Sequence, residues 1–275
     1  HSLISAMKII DAHIHTNFAH GKTQHFTQQH GINFSLKGLK KELDENSVET
    51  AIAITTDTNA PTPGEYSLLR KQCDEEPRLR SVCSINPNHT SAKYQKMVEQ
   101  ALKGSFIGIK IFPGYHSVYP SDKRYFPFYK LAGKYNKPVI IHSGDTFGSN
   151  YLVKYAHPLA IDEIAVKFPK TTFIIAHLGN PWIRDAAELV YKNENVYADV
   201  SAFCIAHPHT SDSKRIQQDI QWALNYSGRP DKFLYGSDWP LTPMKEYITV
   251  IKKAVPRKYH KKIFYENAKR VFHLY

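Results

Sequence analysis

Near the start of the chain stands Asp11-Ala12-His13-Ile14-His15. It closes an apolar run, Lys8-Ile9-Ile10, that reads as a β-strand. Side chains alternate faces along a strand, which predicts Asp11, His13 and His15 on one face and Ile10, Ala12 and Ile14 on the other. Two imidazoles two residues apart on one strand face suit a single divalent metal ion. Three later apolar runs also end in residues of ligand type: Val139-Ile140-Ile141-His142, Phe173-Ile174-Ile175-Ala176-His177 and Phe233-Leu234-Tyr235-Gly236-Ser237-Asp238. One strand-end histidine is ordinarily a packed residue. Polar ends on several buried strands predict a site assembled at one rim of a sheet.

A catalytic zinc site takes about three protein ligands of His, Asp or Glu type and keeps a position for water. His13, His15, His142 and Asp238 offer three nitrogens and a carboxylate, so one divalent ion is expected, with zinc the leading choice. Such an ion lowers the pKa of its water from about 15.7 to near 7. Asp238 is also expected to orient that water and take its proton. His177 is left over, and an imidazole near neutrality suits proton transfer to a leaving group.

The elements that must position these residues recur along the chain. Eight apolar runs read as strands: Lys8–His15, Thr50–Thr56, Leu79–Asn86, Phe106–Pro113, Pro138–Gly144, Thr171–Gly179, Asn195–Ala202 and Lys232–Pro240. Helical segments are predicted between them, over Ser35–Asn46, Gly64–Glu75, Ser91–Lys103, Arg124–Tyr135, Leu159–Phe168, Trp182–Lys192 and Lys214–Tyr226, then Met244–Ala254 and a terminal helix near His260–His273. Strands that alternate with helices point to a parallel sheet. Eight such units predict a (β/α)₈ TIM barrel, whose active site lies at the C-terminal ends of the strands. The stretches Phe18–Phe34 and Tyr115–Arg124 read as long loops capping that end. An open doubly wound sheet lacks support, because no GxGxxG turn follows the first strand.

The 275 residues suit one domain, expected over 7–275, and residues 1–6 ahead of Met7 read as a cloning remnant. Hydrophobic content of 42% and charged content of 22% are ordinary for a globular chain. No apolar run reaches membrane-spanning length, so no membrane partner is expected. No secretory leader is evident, and the three cysteines, Cys73, Cys83 and Cys204, show no metal or redox spacing, so a cytoplasmic location is expected. The net charge of +11 raises the question of nucleic acid. The basic residues are dispersed, however, and no specific nucleic-acid partner is expected.

The motifs taken together resemble the amidohydrolase superfamily. They are Asp-x-His-x-His after the first strand, His142 ending the fifth, His177 ending the sixth and Tyr235-Gly-Ser-Asp-Trp-Pro240 at the eighth. The branch called amidohydrolase 2, which includes enzymes like aminocarboxymuconate-semialdehyde decarboxylase, is the most similar. Its closing helix resembles Glu266-Asn267-Ala268-Lys269-Arg270-Val271-Phe272. The resemblance spans residues 7–275. It implies one zinc or similar ion held by His13, His15, His142 and Asp238, with His177 as acid or base. Binuclear members bridge two metals with a carboxylated lysine or a glutamate on strand four. Here that strand carries Lys110 and no glutamate, and Lys110 is expected to bind a substrate anion or a neighbouring carboxylate. The missing glutamate also departs from the pattern of TatD-type nucleases.

Tyr115 and His116, just past strand four, are candidate substrate contacts along with Lys110. Asp11 is expected to hold one imidazole by a hydrogen bond, whereas His207 and His209 read as surface residues. The first functional reading is a metal-dependent hydrolase of a small amide, lactone or ester. The alternative is a metal-dependent decarboxylase of a small unsaturated or aromatic acid, with Lys110 or Arg124 as the cation. Either acts on a small, anionic molecule, alone or as a homo-oligomer.

Overall fold

The computed structural model describes residues 7–55 and 63–275. Residues 1–6 and the end of the expected second strand, Thr56, lie outside them. Eight strands run in the order β1-β2-β3-β4-β5-β6-β7-β8, each parallel to the next. They are β1 (Ile9–His15), β2 (Val48–Ile54), β3 (Leu79–Ser84), β4 (Phe106–Ile111), β5 (Val139–Ile141), β6 (Phe173–Ile175), β7 (Val196–Asp199) and β8 (Phe233–Leu234). The sheet closes on itself. Ala12 N–H donates to the Tyr235 carbonyl at 2.9 Å, Asp238 N–H to that of His13 at 2.8 Å, and His15 N–H to that of Trp239 at 2.8 Å. The expected TIM barrel is therefore the fold. Its last strands are shorter than their apolar runs, although backbone bonds continue past them, from His142 N–H to the Ile111 carbonyl and from Val200 N–H to that of Leu234.

Both faces of the sheet are dry, which is why the strands read as near-continuous apolar runs. Inside the barrel, Ile10, Ala12, Ile52, Ile54, Val82, Ile140, Ile174 and Leu234 form one buried cluster. Outside it, Ile9, Ile14, Ala53, Ile109, Ile141, Phe173, Ile175 and Ala198 pack in a second layer with the helices.

The helices are α1 (Gly21–Gln29), α2 (Leu36–Glu45), α3 (Pro63–Glu75), α4 (Ala92–Lys103), α5 (Phe126–Lys134), α6 (Ala160–Lys167), α7 (Ile183–Lys192), α8 (Thr210–Ser227), α9 (Met244–Ala254) and α10 (Asn267–Val271). Ser35 and Ser91 cap α2 and α4, accepting from the N–H groups of Gly38 and Tyr94. A π-helical turn, Lys262–Glu266, leads into α10. Ala268, Val271 and Phe272 then pack into the interior cluster.

One loop expectation is corrected: part of Phe18–Phe34 is α1. Its start is held by the His20 side chain, which accepts from Thr23 N–H. Histidine is not among the favoured capping residues, so composition gave no start signal there. No helix among the described residues is long and apolar enough to cross a membrane.

Candidate metal centre and catalytic pocket

Lys110 and His142 reach the site by plain alternation. On β4, Ile109 and Ile111 join the outer layer, so Lys110 between them points into the barrel. On β5, Val139 and Ile141 are outer and Ile140 inner, and His142 continues the inner row.

The first motif does not alternate as expected. Asp11 pairs with Ala51 and Ile14 with Ala53, so β1 takes three steps where β2 takes two. The extra residue is a β-bulge, and it reverses the parity of the strand. Ile10 and Ala12 face inward before it, and His13 and His15 face inward after it. Asp11 is therefore parted from the two imidazoles. Its Oδ1 accepts the N–H groups of His13 at 3.2 Å and Ser237 at 2.9 Å, pinning the bulge and the β8–β1 seam. The expected bond from Asp11 to an imidazole is absent, and burial pushes its carboxyl up to about 7.

The carboxylate that meets an imidazole comes from β7. His13 Nδ1 lies 2.9 Å from Asp199 Oδ2. Asp199 Oδ1 accepts the N–H of His177 at 2.9 Å, the N–H of Ser201 at 3.1 Å and the Ser201 hydroxyl. His177 Nδ1 lies 2.8 Å from Ser201 Oγ. Asp199 and Ser201 are not among the residues expected from the sequence. Their signal was the alternation of Val196, Ala198 and Val200 with Tyr197, Asp199 and Ser201, polar residues on the inner row of a buried strand.

Partner types assign the imidazole protons. A carboxylate only accepts, so His13 carries its proton on Nδ1. The backbone carbonyl of Ile54, 3.2 Å from His15 Nδ1, assigns that ring likewise. Ser201 gives its own proton to Asp199, so it accepts from His177 Nδ1. His142 Nε2 lies 3.0 Å from the carbonyl of Asp145 and is the N–H of its ring. Each of the four rings thus has one nitrogen committed outward and one lone pair left. Lys110 Nζ, which only donates, sits 3.3 Å from His13 Nε2 and agrees with that assignment.

Two of these lone pairs, on His15 and His13, face a carboxylate. Asp238 Oδ1 is 3.0 Å from His15 Nε2 and 3.4 Å from His13 Nε2. It is buried and accepts no hydrogen bond from the described residues. Ligand atoms of His13, His177 and Asp238 all lie within 4.8 Å of one another. Lone pairs and an anion gathered this closely fit a cation between them. A histidine ligand usually donates its other N–H to a carboxylate, backbone carbonyl or water, and His13, His15 and His142 each have such a carboxylate or carbonyl partner.

Charge is arranged to the same end. Burial, helped by the nearby Lys110, lowers His13 to about 4. Burial likewise holds His142 well below the ordinary imidazole value and lowers His177. Burial opposes ionisation of Asp238; positive charge on His13, His15 and His177 around it would hold the carboxyl well below the usual range, the part a bound cation plays when the rings are neutral. Burial brings Lys110 down to about 8, against the pull of Asp199 and Asp238. Neutral imidazoles and an ionised carboxylate are the forms a metal requires.

Above this floor opens a cavity of about 680 Å³. His15, Lys110, His142, His177 and Asp238 line its base, and Phe26, Phe112, Tyr115, Phe147 and Tyr151 give it an aromatic wall. Lys22 of α1 also lines it. Tyr115 stands 4.8 Å from the His142 ring, centroid to centroid, and its hydroxyl accepts the Phe147 N–H at 2.8 Å. His116, expected as a substrate contact, does not line the cavity. Its backbone closes the turn after β4, with its N–H on the Phe112 carbonyl at 2.9 Å. Arg124 is also elsewhere, its guanidinium held by Asp122 at 2.9 Å. His207 is exposed and paired with Glu246, as a surface residue should be.

Comparison with solved structures finds the same fold in several enzymes. A probable 2-pyrone-4,6-dicarboxylic acid hydrolase from Acinetobacter baumannii, solved with citric acid, is 17% identical with a TM-score of 0.70, over 97% of this chain and 100% of that one. An amidohydrolase from Burkholderia multivorans, solved with zinc, is 14% identical with a TM-score of 0.70, over 97% and 99%. A dihydroxybenzoic acid decarboxylase from a Polaromonas species, solved with manganese and 2-nitroresorcinol, is 17% identical with a TM-score of 0.69, over 98% of each chain. A search of curated protein sequences finds no match. The amidohydrolase family model matches residues 10–274, and the chain belongs to that family, in the branch called amidohydrolase 2.

Proposed function

We propose that this protein is a metal-dependent hydrolase of a small amide, lactone or ester that carries an anionic group. The observation that carries the reading is the convergence of the free imidazole nitrogens of His13 and His15 on Asp238 Oδ1, which accepts no hydrogen bond from the described residues. His13, His15, His142 and Asp238 would hold one divalent ion, with zinc the first choice. When bound, the ion supplies Lewis acidity toward a substrate oxygen and a water of lowered pKa. The zinc of the Burkholderia amidohydrolase and the manganese of the Polaromonas decarboxylase make both metals reasonable.

The chain's own groups divide the remaining work. Asp238 stays ionised, and its carboxylate takes a proton from the attacking water. His177, fixed through Nδ1 by Ser201, offers the Nε2 lone pair to receive that proton from Asp238 and pass it to the leaving group. Lys110 Nζ, on the cavity floor, binds a substrate carboxylate or carbonyl. The aromatic wall orients a flat substrate and excludes water, which strengthens each of these polar contacts.

A second reading shares these residues. A flat aromatic wall over a buried lysine also suits decarboxylation of an unsaturated or aromatic acid, with Lys110 holding the departing carboxylate. Arg124, outside the cavity, drops out of that scheme. Screening zinc-loaded and manganese-loaded protein against small lactones, amides, esters and benzoic acids tests the proposal. Turnover of the first three classes supports it. Turnover of benzoic acids alone moves the assignment to the second reading.

A further inference from the structure

Asp199 reaches two of the four rings, His13 directly and His177 through Ser201. Its Oδ2 takes the Nδ1 proton of His13 directly, at 2.9 Å. Its Oδ1 takes the Ser201 hydroxyl proton, which leaves Oγ free to accept from His177 Nδ1 at 2.8 Å. The same Oδ1 accepts the His177 N–H at 2.9 Å, at the residue where the chain leaves β6 with a φ of 59°. Asp199 and Ser201 are both buried, so no water competes for these bonds. His13 and His177 stand ring to ring, their centroids 4.9 Å apart.

We propose that Asp199, extended by the Ser201 hydroxyl, is the positioning residue of the site. One carboxylate sets the tautomer of a metal-binding imidazole and of the proton-carrying imidazole together, and turns both free nitrogens toward Asp238. The inference takes the meaning of those nitrogens from the metal-centre reading above.

Asp199 acts through other residues, so its test must read geometry as well as output. Asp199→Asn keeps one oxygen for the backbone N–H groups of His177 and Ser201. It replaces the other oxygen with an N–H donor facing His13 Nδ1. That nitrogen must then accept, and the ring proton moves to Nε2, on the side of Asp238. A misplaced tautomer of this kind costs a histidine its function even when the ring hardly moves. Ser201→Ala removes only the acceptor for His177, and Ser201→Thr restores a hydroxyl.

Side-chain nitrogens of histidine report their tautomers in long-range proton–nitrogen NMR spectra of the full chain, with zinc and after chelation. Zinc affinity is read by competition with a chelator. In Asp199→Asn we expect His13 to become the Nε2–H form and zinc to bind about 10- to 100-fold more weakly, the usual cost of losing such a partner. In Ser201→Ala we expect His177 to lose its single tautomer while His13 keeps its own, and in Ser201→Thr we expect the His177 signal to return. Unchanged His13 and His177 tautomers in Asp199→Asn and Ser201→Ala overturn the inference. If Asp199→Asn does not fold, the two Ser201 variants decide it. None of these readouts needs a substrate, so a protein that shows them and turns over no ester, amide or lactone loses the hydrolase reading alone.

Discussion

His177 and Asp238 leave their strands in the same way: each has a left-handed backbone, with φ of 59° and 57°. Their ligand atoms lie within 4.8 Å of each other and of His13. A left-handed non-glycine residue costs about 1–3 kcal/mol and persists only where its surroundings fix it. Here the fixing bonds are His177 N–H to Asp199 Oδ1 at 2.9 Å and Asp238 N–H to the His13 carbonyl at 2.8 Å. The strain bends both side chains onto one point. Asp238→Gly should therefore be more stable than Asp238→Ala by about 1 kcal/mol, because glycine adopts this φ freely. Urea unfolding of the two chelated variants measures the difference, and equal midpoints would remove strain from the explanation.

The site is expected to bind one metal ion per chain. Elemental analysis of protein purified without chelator should find about one equivalent of zinc or manganese. His13→Ala and His15→Ala should lose it, while His177→Ala keeps the ion and loses turnover. A ligand atom of His177 lies within 4.8 Å of those of His13 and Asp238, so this comparison separates ligand from proton carrier. Loss of metal from His177→Ala would move His177 into the ligand set.

Asp11 gives a pH signature opposite in sign to that of the buried histidines. Its carboxyl is raised to about 7 in the folded chain from an ordinary 3.8, so the folded state holds a proton that the unfolded state gives up. Its contribution is full below about pH 4 and fades as pH rises to about 7. Asp11→Asn keeps the oxygen that accepts from His13 and Ser237 and cannot ionise. The stability of this variant relative to the unaltered protein should rise between pH 4 and 7. Urea titrations across that window read it, and a pH-independent difference would show that Asp11 does not titrate on folding.

Lys110 loses its charge near pH 8, because burial disfavours the ammonium form. KM for an anionic substrate should rise above that pH, with kcat changing less. Lys110→Met should raise KM roughly tenfold, and up to about a hundredfold, with the smaller effect on kcat. A fall in kcat at constant KM would place Lys110 in the reacting chemistry instead of in binding.

The sequence showed the barrel because a sheet buried on both faces needs apolar strands, and eight such runs are plain to read. Lys110 and His142 were legible as inward residues because their strands alternate without fault. The β1 bulge was not legible. It depends on the seam with β8, where a Cβ at Gly236 would sit 2.8 Å from the Cβ of His13. That close approach joins residues far apart in the chain. His177 has the parity of the outer residues Phe173 and Ile175, and only its left-handed turn brings it inward. Asp11 was assigned to the imidazoles because the bulge is silent in sequence, and this hid the need for Asp199. The helix α1 was missed because a histidine caps it.

Oxygen-labelled water tests the central claim most directly. With a substrate found by screening, the metal-loaded protein should place one solvent oxygen in the product acid and release no CO₂. Release of CO₂ without solvent oxygen in the product would contradict hydrolysis and assign the site to decarboxylation.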